Sequence, residues 1–260
     1  DPTGLREIRH LPHLRQFYCW FVEFPGDSFT AIGEWASLEE ATIHYPGGVT
    51  PAHVAALGRL SRLKDLTLLG VLVDEGTTRA LAGCTSLEHL EIREAQLEDA
   101  ALRHVGGVRS LKFLHLGSNR IQGAGLAGLA GLDQLGILWL EGNPLEDEQL
   151  RALPSLPQLG IVDLKDTPIS DAGLAGLPDL PRLHNLDLGG TRVTDDGLRH
   201  LRRFPQLSRL TLPAGVRGPG VRVLHELPNL VSVSFEGAVP DEALDALRRA
   251  IPAGEFRGPD

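Results

Sequence analysis

The stretch Leu159–Leu183 reads LGIVDLKDTPISDAGLAGLPDLPRL, and the chain is organised as copies of it. The copy beginning at Leu183 reads LHNLDLGGTRVTDDGLRHLRRF and keeps the same grammar. Counting from the first leucine, apolar residues fall at offsets 3, 5, 10, 15, 18 and 21. Asn or Thr stands at offset 8, Asp at 12 and Gly at 14. The origin leucines Leu63, Leu87, Leu111, Leu135, Leu159, Leu183 and Leu207 lie 24 residues apart.

Each part of the unit has a physical reading. Offsets 3 and 5 are apolar between polar neighbours, the period-two pattern of a half-buried strand. Leucines recurring every three residues at 15, 18 and 21 suit a short helix or 3₁₀ segment. Asp99, Asp147, Asp171 and Asp195 precede these segments and are expected to act as their N-caps. One such strand cannot bury its apolar face by itself, so the copies must stack into a parallel sheet with helices behind it. Asn119, Asn143, Thr167 and Thr191 are expected to point inward and satisfy backbone groups at the turn after each strand.

The register extends over nearly the whole chain. Leu5, Ile8 and Leu11 match the last three apolar offsets of a preceding unit, so the chain opens halfway through a repeat. The first full copy starts at Leu14 and is rich in aromatics, with Phe24, Phe29, Ile32 and Trp35 at core offsets. The second is 25 residues long, with its extra residue near Tyr45-Pro46-Gly47-Gly48. The ninth is degenerate and one residue short, running through Pro213–Gly220. A helix is expected over Asp241–Arg249 with Asp241 as N-cap, and Phe256 falls where a last edge strand would begin. Residues 1–260 thus read as one repeat domain: a partial repeat over 1–13, about ten repeats over 14–252, and an edge strand or tail over 253–260.

Composition narrows the function. The net charge is −9, which argues against nucleic acid or an anionic membrane as partner. No apolar run approaches the roughly 20 residues that span a bilayer. With no export signal in view, a cytoplasmic location is expected. Cys19 and Cys84 fall at apolar offsets almost three repeats apart and are expected to be buried free thiols.

The matching motifs include Leu111-x-x-Leu114-x-Leu116-x-x-Asn119-x-Ile121 and Leu135-x-x-Leu138-x-Leu140-x-x-Asn143-x-Leu145. On these residues the chain resembles the leucine-rich repeat family. The run Thr191-x-Val193-Thr194-Asp195-x-Gly197-Leu198 resembles its helical-backed, ribonuclease-inhibitor-like or cysteine-containing branch. The resemblance implies an α/β leucine-rich repeat solenoid, with a curved parallel β-sheet on the concave face and short α or 3₁₀ helices on the convex face. It also implies a scaffold that recognises proteins. The chain departs from the pattern at Gly123, where Asp is expected, and in the ninth copy.

Offsets 2, 4 and 6 should line the concave face. There Phe113, Ile137, Trp139 and Ile161 form an apolar cluster, the kind of aromatic patch that anchors a partner. Glu91, His115, Asp163 and Asp187 are expected around it as a polar rim, and Tyr18 and Trp20 extend the aromatic surface in the first copy. The three columns carry seven acids against three bases, which favours a partner protein with basic rim residues. His89, Glu91 and His115 could form a metal site or an acid–base pair, but the surface is open and lacks a third ligand. The chain has no G-x-x-x-x-G-K-[ST], no H-E-x-x-H and no C-x-x-C. The expected function is non-enzymatic protein–protein recognition, with no catalytic residue, metal or cofactor. The alternative is the target-recognition arm of a larger effector or ligase-type protein, which the half-repeat at the start favours.

Overall fold

The computed structural model describes residues 11–24, 26–250 and 254–257. Leu5 and Ile8 lie outside these, and Leu11, placed at a core offset by its spacing, is exposed, with no preceding described strand to cover it. The chain divides into two compact units. The first runs through Ile121 and takes in Gly125–Leu135, and the second takes Gln122–Ala124 and continues from Gly136.

The first unit holds five parallel strands: β1 Gln16–Trp20, β2 Glu40–His44, β3 Asp65–Leu69, β4 His89–Arg93 and β5 Phe113–His115. Each pairs with the next in register, so that Gln16, Glu40, Asp65, His89 and Phe113 form one row. The second unit holds β6 Ile137–Trp139, β7 Ile161–Asp163, β8 Asn185–Asp187, β9 Arg209–Leu212, β10 Ser232–Phe235 and β11 Glu255–Arg257. These too are parallel and paired in chain order, with Ile137 opposite Ile161, Asn185 and then Arg209. Parallel neighbours need a crossover, and each repeat supplies one through its short helix. These are α-helical at Glu75–Leu81, Asp99–Val105 and Asp171–Gly176, and 3₁₀ at Ala124–Leu129, Gly197–Arg203 and Pro219–Glu226. The three-residue leucine spacing fits the tighter turn, because residues three apart eclipse there.

The apolar offsets form the core between sheet and helices. Leu66, Leu90, Leu114, Leu138, Val162 and Leu186 are all buried, as are Leu126, Leu129, Leu198 and Leu201 on the helical side. In the first copy Trp35 is buried and meets Phe17 edge-on at 5.2 Å, while Phe24 meets Phe29 at 5.2 Å. The extra residue of the second copy is taken up in the turn at Gly47 and Gly48, where Phe24 N–H donates to Gly47 O at 2.9 Å. Cys19 and Cys84 are buried free thiols, and burial pushes both up to about 11.

The aspartates at offset 12 do not cap their own helices. Asp99 and Asp147 are the first residues of theirs, with Glu98 and Glu146 as N-caps, and Ser170 caps the helix that Asp171 begins. Their carboxylates reach forward into the next copy instead. Asp99 accepts Gly125 N–H at 2.9 Å, Asp147 accepts Ser170 N–H at 2.8 Å, and Asp171 accepts Thr194 N–H at 2.8 Å. Asp195 accepts from Arg217, Gly218 and Gly220, at 3.1, 3.1 and 2.9 Å. The capping rule is local, whereas these residues face a neighbouring chain segment whose turn amides lack partners. Likewise Asp241 is the first residue of its helix, Asp241–Ala250.

The inward Asn and Thr do serve the backbone. Asn119 accepts from Ala95 N–H at 3.0 Å and Leu97 N–H at 3.1 Å, and donates to Ile92 O at 2.7 Å. Thr167 donates to Leu164 O and Thr191 to Leu188 O, both at 2.6 Å.

A further column runs along the turn at offset 7. Phe21, Tyr45, Gly70, Glu94, Ser118, Gly142, Asp166 and Gly190 occupy it, and every one has φ between 45° and 66°. In five copies its N–H donates to the carbonyl one residue earlier in the next copy: Phe21 to His44, Tyr45 to Leu69, Gly70 to Arg93, Gly142 to Lys165 and Asp166 to Gly189, at 2.7 to 3.0 Å, whereas Gly190 donates to Glu236. The left-handed turn continues the sheet ladder one residue past each strand while bending the chain toward its helix.

Candidate partner-binding face

Because offsets 3 and 5 point into the core, offsets 2, 4 and 6 point out. The pairing aligns Tyr18, Thr42, Thr67, Glu91 and His115 in the first unit, and Trp139, Asp163, Asp187, Thr211 and Ser234 in the second. Small threonines beside taller neighbours leave a groove in the first unit. It measures about 220 Å³ and is lined by Glu40, Thr42, Asp65, Thr67, His89, Glu91 and Phe113.

In the first unit, Tyr18 and Trp20 are 41% and 53% exposed and stack with centroids 5.9 Å apart and nearly parallel planes. Phe113 and Glu91 are half-buried. His115, expected on the polar rim, is only 5% exposed. The Phe113 ring packs edge-on against it at 6.2 Å, and its Nδ1 lies 3.7 Å from Glu91 Oε1. Glu91 is also held by Arg93 Nε, while His89 Nδ1 pairs with Asp65 at 2.8 Å. The imidazoles of His89 and His115 therefore serve different carboxylates. Among the described residues no group of three or more His, Cys, Asp or Glu is arranged to hold a metal.

In the second unit, Ile137 stands beside Ile161 and Trp139 beside Asp163, and all four are half-buried. Trp139 is thus less open than an outward offset suggests. Asp163 accepts Lys165 N–H and Asp187 accepts Gly189 N–H, both at 2.8 Å, so each carboxylate is fixed by the amide two residues on. Burial, with smaller contributions from the charges of Asp187 and Glu141, pushes Asp163 from 3.8 up to about 6 against the opposing Lys165 amide bond. Glu236 leans across two repeats to accept Gly190 N–H at 2.5 Å.

The spacing alone missed the aromatics at the turn. Phe21 is 77% exposed and stacks on Tyr45 with centroids 5.4 Å apart at 9°. The signal was present at offset 7, where the other copies carry Gly, Glu, Ser, Asp or Ala. Two aromatics there break the pattern, and in a left-handed conformation they carry a backbone cost of about 1–2 kcal/mol each. The left-handed φ belongs to the repeat and is shared by Glu94, Ser118 and Asp166; what sets Phe21 and Tyr45 apart is their aromatic side chains.

No helix among the described residues is long and apolar enough to cross a membrane. A leucine-rich repeat family model matches residues 109–130. No curated protein matches the sequence. Among solved structures the chain is similar to internalin C2 from Listeria monocytogenes, with 19% identity, 89% of this chain and 83% of that chain covered, and a TM-score of 0.55. The repeated strand–turn–helix unit, the Asn and Thr ladder behind the turn and these two matches lead to one conclusion: the chain has the leucine-rich repeat fold.

Proposed function

We propose that the chain is a non-enzymatic recognition module that binds another protein on the open face of its sheet. The fold is consistent with such a module. The observation that carries the reading is aromatic surface held on a rigid sheet: the Tyr18–Trp20 stack in one unit, and Trp139 beside Ile137 and Ile161 in the other. Aromatic anchors with polar neighbours concentrate binding energy at interfaces. Asp163, Asp187 and Glu91 supply the polar setting, and a partner with basic rim residues complements it. Among the described residues the face is open and its histidines are separately paired, which supports recognition over catalysis.

The test is affinity capture from a cell extract, with wild type and Trp139→Ala side by side. Trp139→Ala should lower the melting temperature modestly, since the ring is half-buried, and weaken capture by the folded protein by about 2 kcal/mol, roughly thirtyfold. A partner retained equally by Trp139→Ala and by Tyr18→Ala would refute the assignment of the open face.

A further inference from the structure

The most exposed aromatic of the chain, Phe21, is not on the sheet face but on the turn that borders it. It stacks on Tyr45, and the Tyr45 ring lies over Gly70, where an added Cβ would stand 2.1 Å from Tyr45 Cδ1. Gly70 thus makes room for a shelf of two rings along the ridge. One residue earlier, Trp20 meets His44 edge-on at 6.2 Å and stacks on Tyr18. Tyr18, Trp20, Phe21 and Tyr45 therefore form one exposed surface over the first two repeats, in two stacked pairs. Val22 follows directly and is also exposed.

The carboxylates beside these rings differ from the ion-paired acids of the chain. Glu39, Glu88, Glu226 and Asp179 are each matched by a lysine or arginine, at 2.7 to 2.9 Å. Glu40 and Glu94 are held by neutral donors instead. Gln16 Nε2 donates to Glu40 at 2.8 Å, and Tyr45 hydroxyl donates to Glu94 at 2.6 Å. Neutral donors fix a carboxylate without cancelling its charge, so the shelf carries negative charge that no cation within ion-pair distance offsets among the described residues. The phenols register that field. Hydrogen bonding to Glu40 raises Tyr18, and hydrogen bonding to Glu94 raises Tyr45, with the charges of those carboxylates adding.

We infer that this shelf, Tyr18 and Trp20 with Phe21 and Tyr45 and their flanking Glu40 and Glu94, is a docking surface for a basic segment of a partner protein. Aromatic faces attract lysine and arginine side chains, and the two carboxylates supply the matching charge. The apolar stems of those side chains cover ring surface while their heads reach the carboxylates. This deepens the recognition reading by extending the Tyr18–Trp20 stack onto the bordering turn and naming the segment that docks there. It rests on that reading, but Trp139 plays no part in it.

Fluorescence anisotropy with two labelled peptides tests it, one alternating lysine with leucine and one alternating glutamate with leucine. The lysine peptide should bind saturably to the wild-type chain, and the glutamate peptide should not. Trp20→Ala and Phe21→Gly should each weaken binding about tenfold or more, in the range of an aromatic anchor. The pair Glu40→Gln with Glu94→Gln should weaken it several-fold and flatten its salt dependence, since the lost attraction is screened. Asp179→Asn and Glu226→Gln, at acids outside the shelf, should leave it unchanged, which separates this surface from general acidity. Phe21→Gly suits the left-handed backbone, so its melting temperature should not fall. Absence of lysine-peptide binding, equal binding of the glutamate peptide, or indifference to Trp20→Ala and Phe21→Gly would overturn the inference. A wild-type dimer in sedimentation that Trp20→Ala dissolves would also overturn it, by making a second copy the occupant.

Discussion

Asp195→Ala removes three hydrogen bonds in one step. Its carboxylate holds the amides of Arg217, Gly218 and Gly220, and so pins the irregular ninth copy to the eighth. The chain there hugs Asp195 closely: a Cβ at Gly220 would stand 2.3 Å from Asp195 O, and Gly218 has φ of 137°. The bonds to Gly218 and Gly220 are part-buried, while that to Arg217 is exposed. Allowing about 1 kcal/mol for each part-buried bond and little for the exposed one gives a loss of about 2–3 kcal/mol. The assay is native-state hydrogen exchange at these amides, alongside chemical denaturation. A loss of about 2 kcal/mol predicts roughly thirtyfold faster exchange at Gly218 and Gly220. Asp195→Asn retains the oxygen that both glycines share and should cost about 1 kcal/mol. If Asp195→Ala costs under about 0.5 kcal/mol, or leaves Gly218 and Gly220 protected, the forward-reaching carboxylate does not hold the junction.

Two further outcomes follow from the same packing. Leu138 is fully buried between stacked strands, so Leu138→Ala should cost about 2–5 kcal/mol by denaturation, and truncation of the half-buried Trp139 should cost less. Asp163 has its folded-state value raised from 3.8 to about 6, so the folded chain binds the proton more tightly than the unfolded one. The stability from this group is full below the unfolded value and is lost as pH rises through about 6. Melting temperatures of wild type against Asp163→Asn, which keeps an acceptor for Lys165 N–H, should show the variant less sensitive over that window and more stable at neutral pH. A variant with the wild-type pH slope would remove Asp163 as its source.

Most of the fold was legible because its signals repeat. The apolar offsets fix which side of each strand is buried, and the observed pairing follows the same spacing from Gln16 opposite Glu40 onward. What escaped the pattern is what a single unit cannot show. The aspartates at offset 12 look like caps because helix starts commonly carry Asp, yet their partners lie 22 to 26 residues ahead. The left-handed turn carries no apolar code, since Phe, Tyr, Gly, Glu, Ser and Asp all occupy it. The candidate face was half legible: offsets identify which side chains point outward but not how far neighbours cover them. Tyr18 and Trp20 are open, whereas Phe113 and Glu91 close over His115.

The reach of the Asn and Asp side chains makes the joints between copies unequal. Between the copies of Leu87 and Leu111, Asp99 reaches forward to Gly125 while Asn119 reaches back to Ala95 and Leu97. That joint is fastened from both sides, and opening it orphans amides in each copy. Between the copies of Leu159 and Leu183, Asp171 still reaches forward to Thr194, but Thr191 is too short to reach back and bonds Leu188 in its own turn. Its side chain closes a loop within one copy and contributes nothing to the joint. A stacked array opens first where the fewest bonds cross, so a chain with uniform spacing carries a built-in order of disassembly, with the threonine copies parting before the Asn119 copy.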